Sequence, residues 1–108
     1  LTSALPVISQ AVIIDGSSEP DFVSTPMIEL NGGGASANGL ELGAGSDGST
    51  IRGLVINRFS SNAIVIKSNT NIIAGNYIGT NVGGTATLGN NGGIEVRGNG
   101  NIIGTNLD

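Results

Sequence analysis

The sequence predicts an all-β chain wound into a stack of parallel coils, and three observations lead there. One phrase occurs three times, as NGLEL at 38–42, NAIVI at 62–66 and GGIEV at 92–96. Each copy is followed by a second short apolar run: STIRGLVIN from Ser49, TNIIAGNYIG from Thr70 and GNIIGT from Gly100. A repeat of about 20 to 30 residues, carried by β-branched side chains and punctuated by Gly and Asn, marks a stacked β-coil. The second observation is that Gly supplies 19 of 108 residues while Pro supplies only 3, which fits neither collagen nor a proline-rich linker. Third, hydrophobic residues make up 38% and aromatics just 3%. A rounded core would bury several large rings, whereas a narrow coil has room for stacked aliphatics and little else.

The elements follow in order. Pro6 to Ile8 and Ala11 to Gly16 read as short strands, the second ended by a turn at Asp15 to Ser18. Residues 19–26 (EPDFVSTP) hold two of the three prolines and read as a loop leaving the stack. Met27 to Gly32 is the next strand and 32–37 (GGGASA) a flexible turn. One domain, 1–108, is expected, with irregular coils over 1–37 and regular repeats over 38–108.

Aligning the repeats makes Leu40, Ile64 and Ile94 equivalent, with Leu42, Ile66 and Val96 two residues further on. Alternation of period two puts these on the inward face and Glu41, Val65 and Glu95 on the outward one. The spacings are 24 and 30, and the six extra residues fall at Asn81 to Asn90, read as a protruding loop. Insertions in solenoids gather on one side, often the binding side. The strands are too short, and the turns between them of the wrong kind, for a hairpin meander. Parallel stacking at ~4.8 Å is expected instead. It lays Leu40 over Ile64 over Ile94, and Ile51 over Ile72 over Ile102. At roughly 22 to 30 residues per coil the chain makes about four to five coils, a stub about 20 Å tall. No cap is recognisable at either end.

Asparagine occurs 13 times, and Asn38, Asn62, Asn71, Asn76, Asn91 and Asn101 sit at strand boundaries. Asn tolerates the left-handed conformation at tight bends, and its amide can bond to the equivalent amide one coil above. These residues are read as turn formers and ladders rather than ligand contacts.

Composition removes several functions. Charged residues are 11% of the chain, the net charge is −4, and the basic side chains are Arg52, Arg58, Lys67 and Arg97. With few cations and no aromatic stacking platform, nucleic acid is not an expected partner. Cys and His are both absent, so thiolate and imidazole chemistry is unavailable within these residues. No apolar stretch reaches the ~18 to 20 residues that span a bilayer, so membrane insertion is not expected. No secretory leader is present and the chain does not begin with Met, which reads as a mature or excised piece.

Ala63 to Ile66, Asn71 to Ile73 and Gly75 to Thr80, together with VIIDGS from Val12, TPMIELNG from Thr25 and IRGLVINRF from Ile51, resemble the right-handed parallel β-helix repeat family. The closest similarity is to the repeat modules of large secreted or surface-attached bacterial proteins, within the pectate-lyase-like superfold. The resemblance covers nearly the whole chain from Leu5. It implies a right-handed parallel β-helix (β-solenoid), a hand that agrees with parallel crossovers generally. It also implies a secreted or cell-surface location, which the low-charge, Asn/Thr/Ser/Gly-rich composition accompanies. Fold does not fix function, and most such modules have no assigned chemistry.

Some β-helices process pectin or alginate, so the acids need inspection. Lyases of this shape use clustered carboxylates on calcium with a basic proton acceptor, and hydrolases use neighbouring carboxylates. The eight acids are Asp15, Glu19, Asp21, Glu29, Glu41, Asp47, Glu95 and Asp108, with no Asp-Asp or Asp-x-Asp pair. Glu19 and Asp21 are near each other but lie in the proline-flanked loop. Glu41 and Glu95 share the outward face with Val65 between them, about 9.6 Å apart and without a polar floor. Spaced charges of this kind discourage sideways aggregation. Lys67 and Arg97 stand at equivalent strand ends and either pair with those acids or touch an anionic sugar. Glu41, Glu95, Lys67 and Arg97 are therefore the candidate ligand contacts; no catalytic, metal or cofactor residue is predicted.

Gly43 to Gly48 (GAGSDG) fits G-x-G-x-x-G, but a β-type run follows where a dinucleotide site needs a helix. The same residues fit part of a calcium-binding nonapeptide, yet only one copy exists where stacked copies share each ion. A turn is the expected role.

Three functions stand side by side. The first is a non-catalytic structural or adhesive β-solenoid module of an extracellular or cell-surface protein. The second is a polysaccharide-binding or polysaccharide-processing β-helix fragment. The third is a subunit of an end-to-end stacked fibre, since uncapped solenoid ends present unpaired edges to copies of the chain or to continuing coils.

Overall fold

A computed structural model describes residues 5–16, 28–33, 37–80, 87 and 89–105. These hold ten strands and no α-helix: β1 (Ile13–Asp15), β2 (Ile28–Asn31), β3 (Leu40–Leu42), β4 (Thr50–Arg52), β5 (Leu54–Asn57), β6 (Asn62–Ile66), β7 (Ile72–Ala74), β8 (Tyr77–Ile78), β9 (Gly92–Val96) and β10 (Ile102–Thr105). Each strand pairs with the strand three places on. The result is three parallel sheets, ordered β1-β4-β7-β10, β2-β5-β8 and β3-β6-β9. The chain visits the three sheets in rotation, and that rotation makes a solenoid-like stack with open sheets. Strands of two to five residues cannot cover a core alone, so each gains its apolar partners from the turns above and below.

The described strands complete three rounds and begin a fourth with β10. Ile8 adds a parallel bridge to Leu42 below the first round. The shortest molecular dimension is 19 Å, in keeping with a four-stranded row at ~4.8 Å per strand plus its flanking backbone.

In β3, β6 and β9 the register matches the repeat alignment: Leu40 pairs with Ile64 and then Ile94, and Leu42 with Ile66 and then Val96. In the first sheet the register differs from expectation by one residue. Ile51 pairs with Ile14 below and Ile73 above, and Ile73 with Ile103, whereas Ile72 and Ile102 continue the row of Thr50. A slip of one residue exchanges the two faces of a strand. Exposure agrees with the observed register: Ile51 is 0% exposed and Ile73 2%, against 40% for Ile72 and 50% for Ile102. The tandem Asn-Ile-Ile offers two apolar residues, and alignment on Gly53 and Gly75 selects the second.

The core is the column these rows enclose. Leu40, Leu42, Ile51, Leu54, Ile56, Phe59, Ala63, Ile64, Ile66 and Ile73 are buried, with Ile14, Leu30, Ile78 and Ile94 packed around them. Burial of an aliphatic side chain of this size contributes roughly 1.5–3 kcal/mol. The last described round is thinly covered: Ile103 is 46% exposed, and a cavity of about 90 Å³ opens among Ile73, Ile78, Ile94 and Ile103.

Coil length varies between sheets. Leu54 and Asn76 lie 22 residues apart and Asn71 and Asn101 lie 30 apart, so eight residues are added between β8 and β9, two more than the repeat alignment alone indicates. The base of that excursion is closed by an antiparallel bridge between Thr80 and Thr87. Most of the expected loop at Asn81 to Asn90 lies outside the described residues, as does the 19–26 segment with Glu19 and Asp21. Between β3 and β4 the glycine motif forms a tight turn under the N-terminal segment. The Gly43 N–H donates to the Ile8 carbonyl and the Ser46 hydroxyl to the Gly43 carbonyl. Gly45 has φ +93 and presses on the Ser9 carbonyl, where a side chain would collide. The glycines serve close backbone approach.

Candidate functional site

Two features organise the polar residues: ladders at the turns, and the outward face of β3-β6-β9. The turn between the third sheet and the first is built as Asp47-Gly48-Ser49, Asn69-Thr70-Asn71 and Asn99-Gly100-Asn101 in successive rounds. Its central residue has positive φ each time: 80 at Gly48, 57 at Thr70 and 68 at Gly100. Two side-chain columns flank it. In the outer one, the Asp47 carboxylate accepts the Asn69 N–H at 2.9 Å and the Asn69 amide oxygen accepts the Asn99 N–H at 2.8 Å. The inner one runs the opposite way. The Ser49 hydroxyl accepts the Val12 N–H at 3.0 Å, Asn71 Oδ1 the Ser49 N–H at 2.9 Å and Asn101 Oδ1 the Asn71 N–H at 2.9 Å. Each column supplies acceptors to backbone donors that the bend takes out of the sheet. Ser46, Ser49, Ser68 and Asn71 are at most 2% exposed, joined through the Ser46–Ser68 hydroxyl contact at 2.8 Å.

The other corners use asparagine likewise. Asn38 Oδ1 accepts the Asn62 N–H, Asn76 Oδ1 the Leu54 N–H and Asn90 Oδ1 the Phe59 N–H, at 2.8–3.0 Å. Asn91 takes part through its backbone, donating its N–H to the Phe59 carbonyl.

On the outward face, Glu41 pairs in register with Val65 and Val65 with Glu95, which sets the two carboxylates two strand spacings apart, about 9.6 Å. Val65 is only 2% exposed despite facing outward. Lys67 reaches down one round to Glu41, Nζ to Oε2 at 3.0 Å. Arg97 instead turns back along its own strand to Glu95, with Nε and Nη2 each 2.9 Å from Oε2. Glu95 Oε1 accepts from Asn62 Nδ2 at 3.0 Å. The four candidate ligand contacts therefore form two pairs with each other. Those ion pairs are solvent-facing and individually worth about 0–1 kcal/mol. Two carboxylates separated by a buried Val provide neither the adjacent acid pair of a retaining hydrolase nor a water-holding polar floor.

A second polar group was not evident from the sequence. Asn57 is 0% exposed, next to the Glu29-Val55-Tyr77 row. Its amide Nδ2 donates to Glu29 Oε2 and to the Thr80 carbonyl, both at 2.8 Å. Val55, like Val65, is buried on the outward side in the middle round. The repetition of Val at this layer is the signal that could have indicated it. Beside the first sheet, Arg52 Nε stands 3.8 Å from Asp15. Among the described residues no three Asp or Glu side chains gather as a metal-holding group, and no helix is long and apolar enough to cross a membrane.

Comparisons with protein-family models, with curated proteins and with solved structures find no match.

Proposed function

We propose that the chain is a structural module: a right-handed parallel β-helix of the repeat-protein kind, non-catalytic, acting as spacer and display surface in an extracellular or cell-surface protein. The observation that supports this most is how the polar side chains are used. Lys67 and Arg97 are engaged by Glu41 and Glu95, and the turn asparagines by backbone donors of adjacent rounds. Chemistry on a substrate needs convergent groups with unspent valences, and this surface has distributed groups satisfied by one another. The polysaccharide reading depends on the same four residues. A glycan array and a uronate-elimination assay test it: the scaffold reading expects no binding and no turnover. Sugar binding that disappears in Glu41→Ala or Arg97→Ala would overturn it.

A second reading, end-to-end association of copies, is favoured by the last described round. There Ile103 and the cavity among Ile73, Ile78 and Ile94 lie open beside edges of β8, β9 and β10 that no further described strand pairs with. Light scattering against concentration decides: growth to filaments supports association, and a monodisperse monomer at high concentration rules it out.

A further inference from the structure

We propose that Asn31–Gly32, Asn38–Gly39 and Asn91–Gly92 are gated deamidation sites, closed while neighbouring rounds are paired and open when the rounds separate. The fold itself assembles these pairs. A corner needs acceptors for backbone donors that the bend takes out of the sheet, and asparagine supplies them: Asn31 Oδ1 accepts the Gly33 N–H and Asn38 Oδ1 the Asn62 N–H. The residue that follows then runs directly against another round. A Cβ at Gly32 would collide with the Arg58 carbonyl, one at Gly39 with the Ala63 carbonyl and one at Gly92 with Asn62 Oδ1, so glycine stands at each place. Asparagine followed by glycine closes readily to a succinimide, because glycine has no side chain to obstruct its own nitrogen.

The contact that demands glycine also guards it. Cyclisation requires the glycine nitrogen to lose its proton and turn onto the asparagine Cγ. The Gly32 N–H donates to the Asn57 carbonyl at 2.8 Å, the Gly39 N–H to the Asn62 carbonyl at 2.9 Å and the Gly92 N–H to the Ser61 carbonyl at 3.0 Å. Each of these bonds joins one round to the next, so the nitrogen cannot turn until two rounds part. At Asn31 and Asn38 the side chain is held as well, by the N–H groups its oxygen accepts. Gly32 and Gly39 are buried, which keeps solvent base from the proton. The rate of the reaction in the folded chain is therefore the rate in the open chain reduced by the fraction of time that the rounds are apart.

Once the rounds part, hydroxide removes the glycine amide proton and the nitrogen bonds to the asparagine Cγ. The bond from Cγ to Nδ2 breaks, and ammonia leaves with a proton taken from water. Water then adds to one carbonyl of the succinimide ring and opens it, giving aspartate or isoaspartate. At position 38 the two products act differently on the stack. Aspartate keeps a side-chain oxygen where the Asn62 N–H needs an acceptor. Isoaspartate lengthens the backbone by one carbon just before Gly39, where the Ala63 carbonyl leaves no room for a Cβ and where Leu40 must meet Ile64. Isoaspartate at this position therefore blocks re-pairing, and a transient separation of rounds becomes a lasting one.

The test is timed incubation of the whole chain at mildly alkaline pH, folded and in urea, followed by tryptic mapping with fragment-ion localisation. Cleavage after Arg52, Lys67 and Arg97 leaves Asn31 and Asn38 in one peptide and Asn91 in another. Each of the three is expected to convert at least about tenfold more slowly in the folded chain than in urea, because each must first open a hydrogen bond between rounds. The urea-treated chains are then returned to buffer, and the compact fraction is isolated by size exclusion and mapped again. Relative to aspartate, isoaspartate at position 38 is expected to be depleted from that fraction. Folded-state rates equal to the rates in urea overturn the gate. Equal shares of the two products in the compact fraction overturn the block to re-pairing.

Discussion

Removing the Asn71 amide tests whether the inner ladder holds the turns together. Asn71 is 1% exposed and serves three groups: Oδ1 accepts the Ser49 N–H, and Nδ2 donates to Ser68 Oγ at 2.9 Å and to Asn101 Oδ1 at 2.8 Å. In Asn71→Ala the Ser49 N–H becomes an orphan donor at a residue that is 0% exposed. Leaving one buried donor unmade costs about 1–3 kcal/mol. Ser68 Oγ retains Ser46, and Asn101 Oδ1 retains the Asn71 N–H, so those two losses are ordinary ones of about 0.5–1 kcal/mol each. The expected total is about 2–5 kcal/mol, a large share of the stability of a domain this small. Urea unfolding followed by far-ultraviolet circular dichroism measures it, as a lower midpoint with an unchanged slope. Asn71→Asp keeps the acceptor for Ser49 but loses the donors, and is expected to recover part of the loss at low pH, where its carboxyl is neutral. A loss below about 0.5 kcal/mol in Asn71→Ala would refute the reasoning, since no buried orphan donor costs so little.

Other perturbations probe other parts of the stack. Ile51→Ala is expected to cost about 2–5 kcal/mol and Ile72→Ala under about 1 kcal/mol by the same urea assay; a cost for Ile72→Ala as large as that for Ile51→Ala would restore the register read from the repeat alone. Thr70→Gly is expected to stabilise by about 0.5–1 kcal/mol, the relief of a left-handed β-branched residue less the entropy of glycine, seen as a raised melting temperature. Val65→Glu places a third carboxylate between Glu41 and Glu95 and is expected to destabilise more at low salt than at high salt. A cost independent of ionic strength would point to packing alone. Lys67→Ala is expected to change stability by less than about 1 kcal/mol, as an exposed pair should.

How legible each feature was depends on whether it is periodic. Leu40, Ile64 and Ile94 stand at the same distance from an Asn or Gly corner in every copy, so period two and the corner together place them inward. At Ile72–Ile73 the chain offers two adjacent isoleucines, and the pattern alone leaves the face open. The ladder asparagines were recognisable by their place at strand boundaries. Their direction was not, because whether a side chain serves the round above or below depends on which donor the bend turns out of the sheet.

For the four outward candidates, the sequence determined that they share a face, since alternation along a strand is a covalent property of the backbone. Only the tertiary structure decided their partners. Lys67 and Arg97 occupy equivalent positions, yet one pairs across rounds and the other along its own strand. Glu95 is braced by Asn62, a residue that no spacing rule connects to it. The same division explains Val65. It stands in register between Glu41 and Glu95 of adjacent rounds and is 2% exposed, and burial of an outward residue is a property of stacked rounds, not of any one of them.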